Sequence, residues 1–96
     1  DDNRHAGLPD EFVLYQNYPN PFNPETVIRF NLPVAAHTIL KVYDVTGNEV
    51  QTLTNGLTEA GLHTVIFNAK TLPSGIYFYR LSSGDFSSVR KLIVLK

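Results

Sequence analysis

The sequence predicts an all-β fold, a sandwich or barrel of about seven short antiparallel strands. Three observations carry that prediction. Apolar and polar residues alternate with period two in several segments, the mark of a strand with one wet face. Turn residues punctuate these segments at roughly 8–12 residue intervals. No segment sustains a 3.6-residue apolar period, so little helix is expected.

The elements follow in chain order. Asp1–Pro9 is polar and reads as the end of a linker, leaving 10–96 as the domain. Phe12-Val13-Leu14-Tyr15 is a short apolar run. From Thr26 to Leu32, Val27, Arg29 and Asn31 share one face, and Thr26, Ile28, Phe30 and Leu32 share the other. From Thr38 to Asp44, Ile39, Lys41 and Tyr43 oppose Leu40 and Val42. Asp44-Val45-Thr46-Gly47-Asn48 supplies turn chemistry, and Glu49 to Leu53 returns with Val50 and Leu53 as apolar members. Asn55 to Ala60 is expected to form a single helical turn at most. Leu62 to Phe67, Ile76 to Leu81 and Phe86 to Leu95 complete the set. Gly47, Gly56, Gly61, Gly75 and Gly84 fall between these runs, where positive φ costs glycine little.

Tyr18-Pro19-Asn20-Pro21-Phe22-Asn23-Pro24 places three prolines in six residues. Proline lacks an amide donor, so no central strand passes here. The segment reads as a stiff crossover between sheets, pinned to the core by Tyr18 and Phe22. Base rates favour the trans form at each X-Pro bond.

Composition narrows the function. A chain of 96 residues with 43% hydrophobic and 18% charged residues makes one globular domain with a modest core. A net charge of −1 lacks the basic footprint of a nucleic-acid binder. The last segment is nonetheless weakly basic: Arg80, Arg90, Lys91 and Lys96 stand against Asp85 alone between Ile76 and Lys96. There is no cysteine, hence no disulfide, thiolate metal site or thiol nucleophile. No run approaches the roughly 20 apolar residues of a membrane-spanning helix, and no signal peptide is visible. The absence of methionine reads as a fragment of a longer protein.

No catalytic constellation emerges. The acids fall mostly in turns and at strand ends, and no Gly-x-Ser-x-Gly elbow exists. His5, His37 and His63 are scattered singly, without metal-ligand spacing, so no metal or cofactor is expected. Asp44, Asn48 and Glu49 flank one turn and offer oxygens either to calcium or, more simply, to the turn's own backbone. Tyr15, Tyr18, Phe22, Tyr43, Tyr77 and Tyr79 raise the alternative of a carbohydrate-binding or adhesive module. Tyr77 and Tyr79 share one side of their strand and Ile76 and Phe78 the other, so one of these pairs must be core. The final strand is apolar on both faces: Val89, Lys91, Ile93 and Leu95 on one, Arg90, Leu92, Val94 and Lys96 on the other. Either it is a strand buried on both sides or one whose outer face packs against Phe12–Tyr15, or a partner recognises its edge by adding a strand or gripping the free carboxylate.

Gln16-Asn17-Tyr18-Pro19-Asn20-Pro21-Phe22-Asn23-Pro24 resembles the opening motif of the type A C-terminal sorting domains of the type IX (Por) secretion system of the Bacteroidetes group. The likeness continues through Leu32-Pro33, Val42-Tyr43-Asp44-Val45-Thr46-Gly47 and Ala60-Gly61-Leu62-His63. It runs on through Leu72-Pro73-Ser74-Gly75-Ile76-Tyr77-Phe78-Tyr79-Arg80-Leu81 and closes with Arg90-Lys91-Leu92-Ile93-Val94-Leu95-Lys96. The resemblance implies an immunoglobulin-like β-sandwich without enzymatic activity. It implies recognition by the outer-membrane translocon and removal by a sortase-like protease. The parent protein would pass through the periplasm to the cell surface or medium. It assigns the signal to Gly75, Tyr77 and the run Arg90, Lys91, Leu92, Ile93, Val94, Leu95 and Lys96, and takes Lys96 as a natural C-terminus. Many relatives carry Trp-Asp-Gly after the strand that here ends Phe67-Asn68-Ala69; Phe67 is expected to fill the missing ring's place. The immunoglobulin-like domain of flagellar hook-capping proteins is similar in sequence, which keeps a structural spacer as a further alternative. An isolated sandwich of this kind is also a candidate for homodimerisation through a strand edge.

Overall fold

The computed structural model describes residues 11–96. The linker assigned to Asp1–Pro9 lies outside the described residues. Seven strands follow one another: β1 (Val13–Leu14), β2 (Glu25–Leu32), β3 (Ala36–Tyr43), β4 (Glu49–Thr58), β5 (Gly61–Asn68), β6 (Gly75–Ser83) and β7 (Phe86–Val94). They form two antiparallel sheets, one ordered β1-β2-β5 and one ordered β4-β3-β6-β7. This is an immunoglobulin-like sandwich in which the fourth strand joins the third, not the second and fifth.

Alternation decides which side chains meet between the sheets. Ile28, Phe30 and Leu32 point inward from β2, Leu40 and Val42 from β3, and Phe67 from β5. Tyr77, Tyr79 and Leu81 come from β6, and Leu92 and Val94 from β7. Each large side chain so buried contributes about 1.5–3 kcal/mol. The pairing in β6 is thereby settled: Tyr77 and Tyr79 are core, and Ile76 and Phe78 face outward. Phe67 is fully buried, with its ring 5.9 Å from Phe22 in an edge-on contact.

Three expectations are corrected. The return strand expected to span Glu49 to Leu53 is longer: β4 runs on to Thr58 with Gly56 inside it, paired to Thr38. Thr-Asn-Gly reads locally as a turn, but the neighbouring β3 backbone overrides that preference. Two bulges reshape β4. The register moves from Leu40↔Thr54 to Lys41↔Thr52, and from Val42↔Gln51 to Tyr43↔Glu49, so Leu53 and Val50 are the extra residues. Both pack against the core although they are three apart. Second, Tyr18 does not pin the crossover; it is 75% exposed, and Phe22 alone is buried. Third, Tyr18-Pro19, Asn20-Pro21 and Asn23-Pro24 are all cis. A trans preference of only ~0.5–1 kcal/mol per X-Pro bond yields readily to tertiary contacts.

Candidate recognition surface at the C-terminal strand

β7 is an edge strand by sheet order, with β6 on its one flank. Its other flank is already occupied. The Phe22 amide donates to the Ile93 carbonyl (3.1 Å) and the Leu95 amide to the Phe22 carbonyl (3.0 Å), a short parallel bridge. The Ile93 amide donates to Asn20 Oδ1 (2.9 Å), and Gln16 Nε2 donates to the Lys91 carbonyl (2.7 Å). The proline crossover thus covers the edge from Lys91 to Leu95. Recognition by strand addition along this stretch, one of the two readings held for it, is corrected: the backbone groups it requires are used within the chain.

The crossover is itself anchored from beneath. Tyr79 is wholly buried, and its hydroxyl accepts from the Asn17 amide (2.8 Å) and donates to the Tyr15 carbonyl (2.7 Å). Burial pushes the Tyr79 phenol up to about 12, against weaker opposing effects of the Asn17 amide and the nearby Arg90 charge. Asn17 Nδ2 reaches the Pro19 carbonyl (3.1 Å) and Thr26 Oγ1 (3.0 Å), and the Thr26 hydroxyl donates to the Pro19 carbonyl (2.7 Å). These buried polar groups satisfy one another, as burial requires.

The residues assigned to the signal separate into three groups. Tyr77, Leu92 and Val94 are core residues. Tyr77 also donates from its hydroxyl to the Pro73 carbonyl (2.8 Å) and lies opposite Leu92. Gly75 opens β6 opposite Val94 with φ of +154°, a conformation that side-chain-bearing residues rarely adopt. Arg90, Lys91, Leu95 and Lys96 are exposed and Ile93 is half-buried. Arg90 Nε donates to the Leu14 carbonyl (2.8 Å), tying β7 to β1. The Lys96 amide meets Ser74 Oγ (2.9 Å) and its ammonium the Lys70 carbonyl (2.7 Å), so the basic end is held against the loop before β6. Within the opening motif, Pro19, Asn20, Pro21, Asn23 and Pro24 are exposed around the buried Phe22.

The outward side chains of β7 line up with those of β6: Ile76 beside Ile93, Phe78 beside Lys91, and Arg80 beside Val89. Tyr43 adjoins Phe78 on β3. Together with Asp44, Val45 and Gly47, the residues Tyr43, Phe78, Arg80 and Val89 line an open hollow of about 360 Å³. The result is a continuous face, apolar with a basic trim. The alternative of a stacking row built on Tyr77 and Tyr79 has no surface to use, since both rings are inside.

The turn that borders this hollow is closed by Asp44. Its Oδ1 accepts from the Thr46 hydroxyl (2.6 Å), the Thr46 amide (2.9 Å) and the Asn48 amide (3.0 Å). The Thr46 hydroxyl, then the Asn48 amide, hold this carboxyl below its ordinary range. Its oxygen serves the turn. Beside it, Lys41 and Glu49 form a surface pair at 3.0 Å, screened by solvent.

Sequence reasoning placed Gln16 and Asn20 in a motif but missed what their side chains do. Their role depends on a strand more than 70 residues further on. Only their amide side chains, which can satisfy a lone backbone group, hinted at it.

The described residues contain no helix long and apolar enough to cross a membrane. No curated protein matches the chain. A protein-family comparison matches residues 16–95 to the secretion system C-terminal sorting domain. The matched span begins at Gln16, whose side chain caps β7, and ends at Leu95, whose amide the crossover holds. Domains of this family are the C-terminal sorting signals of type IX secretion, interacting with its machinery and directing export across the outer membrane to the cell surface or extracellular space. The chain belongs to this family of sorting domains, and its function is to mark a parent protein for type IX secretion.

Proposed function

We propose that the translocon reads the side-chain face of β7 and its basic end, not a free strand edge. Lys91, Ile93, Leu95 and Lys96 form the recognised surface, with Arg90 at its margin. Gly75 and Tyr77 act from behind it by fixing the register of β6 against β7. One observation carries this reading: the crossover occupies the outward backbone of Lys91–Leu95, leaving the side chains for a partner to read. The domain extends over 10–96 and works by being recognised, with no reaction of its own. A sortase-like protease cuts in the linker at 1–9.

The test is export of a reporter fused ahead of residues 8–96 in a host with the type IX system. Deleting Leu92–Lys96 would remove two core residues, so it confuses misfolding with loss of signal. Lys91→Glu combined with Leu95→Glu alters exposed positions only. The expected outcome is a folded fusion retained in the periplasm, with at least tenfold less reporter at the surface or in the medium. Export at the unaltered level would refute this placement of the signal.

A further inference from the structure

Four strands form the sheet margins, and three of them are protected in ways natural sheets use. β7 is covered by the crossover from Lys91 to Leu95. β1 has two residues, and Arg90 takes the Leu14 carbonyl. β4 is broken by bulges at Val50 and Leu53 and opens with Glu49. β5 has none of these devices. It pairs with β2 in unbroken register from Gly61 to Asn68 and contains no charged residue and no proline.

The hydrogen-bond parity shows which groups β5 presents. The Tyr15 amide reaches the Arg29 carbonyl and the Tyr18 and Val27 backbones pair, so the odd residues of β2 face β1 and the crossover. The Pro24 carbonyl accepts from the Ala69 amide, so even residues on that strand face β5, and odd residues of β5 face β2. The backbones of Leu62, Thr64 and Ile66 therefore point away from the sheet. Among the described residues no backbone hydrogen bond reaches them. Their side chains lie on the outer face, with Leu62 57% and Ile66 63% exposed.

We infer that β5 is a self-pairing edge that joins two copies of this chain antiparallel about a two-fold axis at Thr64. In that register Thr64 faces Thr64 of the second copy, and Leu62 faces its Ile66. Every outward N–H meets a carbonyl, giving about six inter-chain hydrogen bonds. The central threonines make a favourable cross-strand pair, and the flanking leucine and isoleucine pack on each other. No like charges meet, because the strand has none. The two three-stranded sheets merge into one of six strands through an isologous interface, the commonest closed symmetry. A contact of this size falls near or below ~1,200 Å² of buried surface, so the pair dissociates on dilution. The inference stands apart from which face the translocon reads, since β5 and β7 border different sheets.

Sedimentation equilibrium of the 96-residue chain, 10.8 kDa as a single copy, tests this from about ten micromolar to about one millimolar. The average mass is expected to rise toward twice the single-chain value. Thr64→Lys sets two ammonium groups against each other and should weaken association at least tenfold, while Asn55→Lys on β4 leaves it unchanged. A chain that stays single at the highest concentration overturns the inference, as does Thr64→Lys associating like the parent. Should Thr64→Lys fail to fold, amide exchange of the unaltered chain decides. Protection at Leu62, Thr64 and Ile66 that grows with concentration supports the pair, and protection independent of concentration refutes it.

Discussion

Tyr79 shows how much one side chain settles. Its ring fills the core, and its hydroxyl is the meeting point of β6 with the chain leaving β1. Tyr79→Phe would leave the buried Asn17 amide without its acceptor, at a cost of about 1–3 kcal/mol in a urea titration. The same group sets an alkaline limit. The folded phenol titrates near 12 and the unfolded one at 10.0. Below pH 10 both states hold the proton and the stabilisation is complete. Between 10 and 12 the unfolded chain releases its proton first, so stability falls with rising pH. Urea midpoints measured from pH 8 to 12 should drop in the parent above pH 10 and drop less in Tyr79→Phe.

At the scale of the element, the crossover from Tyr15 to Pro24 matters more than its irregular backbone suggests. Proline removes the amides at positions 19, 21 and 24, so this segment cannot become a full strand of either sheet. The Phe22 and Asn20 groups that remain are spent on β7. Phe22 is the joint: its ring meets Phe67 in the core while its backbone bridges Ile93 and Leu95. Phe22→Ala should cost about 3–5 kcal/mol through the cavity it leaves. It should also speed amide exchange at Ile93 and Leu95 well beyond what the loss of global stability explains. Equal acceleration at all core amides would show that the crossover does not guard β7 specifically.

For the whole molecule, the two sides of the sandwich are treated differently. The side formed by β1 and β7 is closed by the crossover, the Arg90 contact and the stacking of Phe12 on Phe86 at 5.0 Å. The side formed by β4 and β5 is joined by the short Glu59-Ala60 connection, and it carries the regular, uncharged edge. Both sheets contribute to one core cluster, so neither is stable alone. Far-ultraviolet circular dichroism and tyrosine fluorescence should therefore report one coincident urea transition. Two separated midpoints would mean that the sheets unfold independently.

Much of this was legible in the chain. Period-two alternation identified the inner faces of β2 and β3 residue by residue, because burial on one side of a pleated strand imposes that pattern directly. The order of motifs identified the family, and with it the function. Alternation in β6 narrowed the choice to two pairs of side chains but could not choose between them, since both are apolar or aromatic; only the packing of the second sheet made Tyr77 and Tyr79 the core. The length of β4 was hidden because Thr-Asn-Gly has turn character and two bulges broke its alternation. The state of each strand edge was also beyond the sequence. Whether the backbone of Ile93 or of Thr64 has a partner depends on segments distant in the chain, and a backbone amide is the same group in every residue but proline. The sequence by itself determined which side chains a strand can bury. Tertiary structure alone decided that the crossover takes up the outer backbone of β7 while β5 stands at the margin of its sheet, because both depend on which distant segments come to lie alongside.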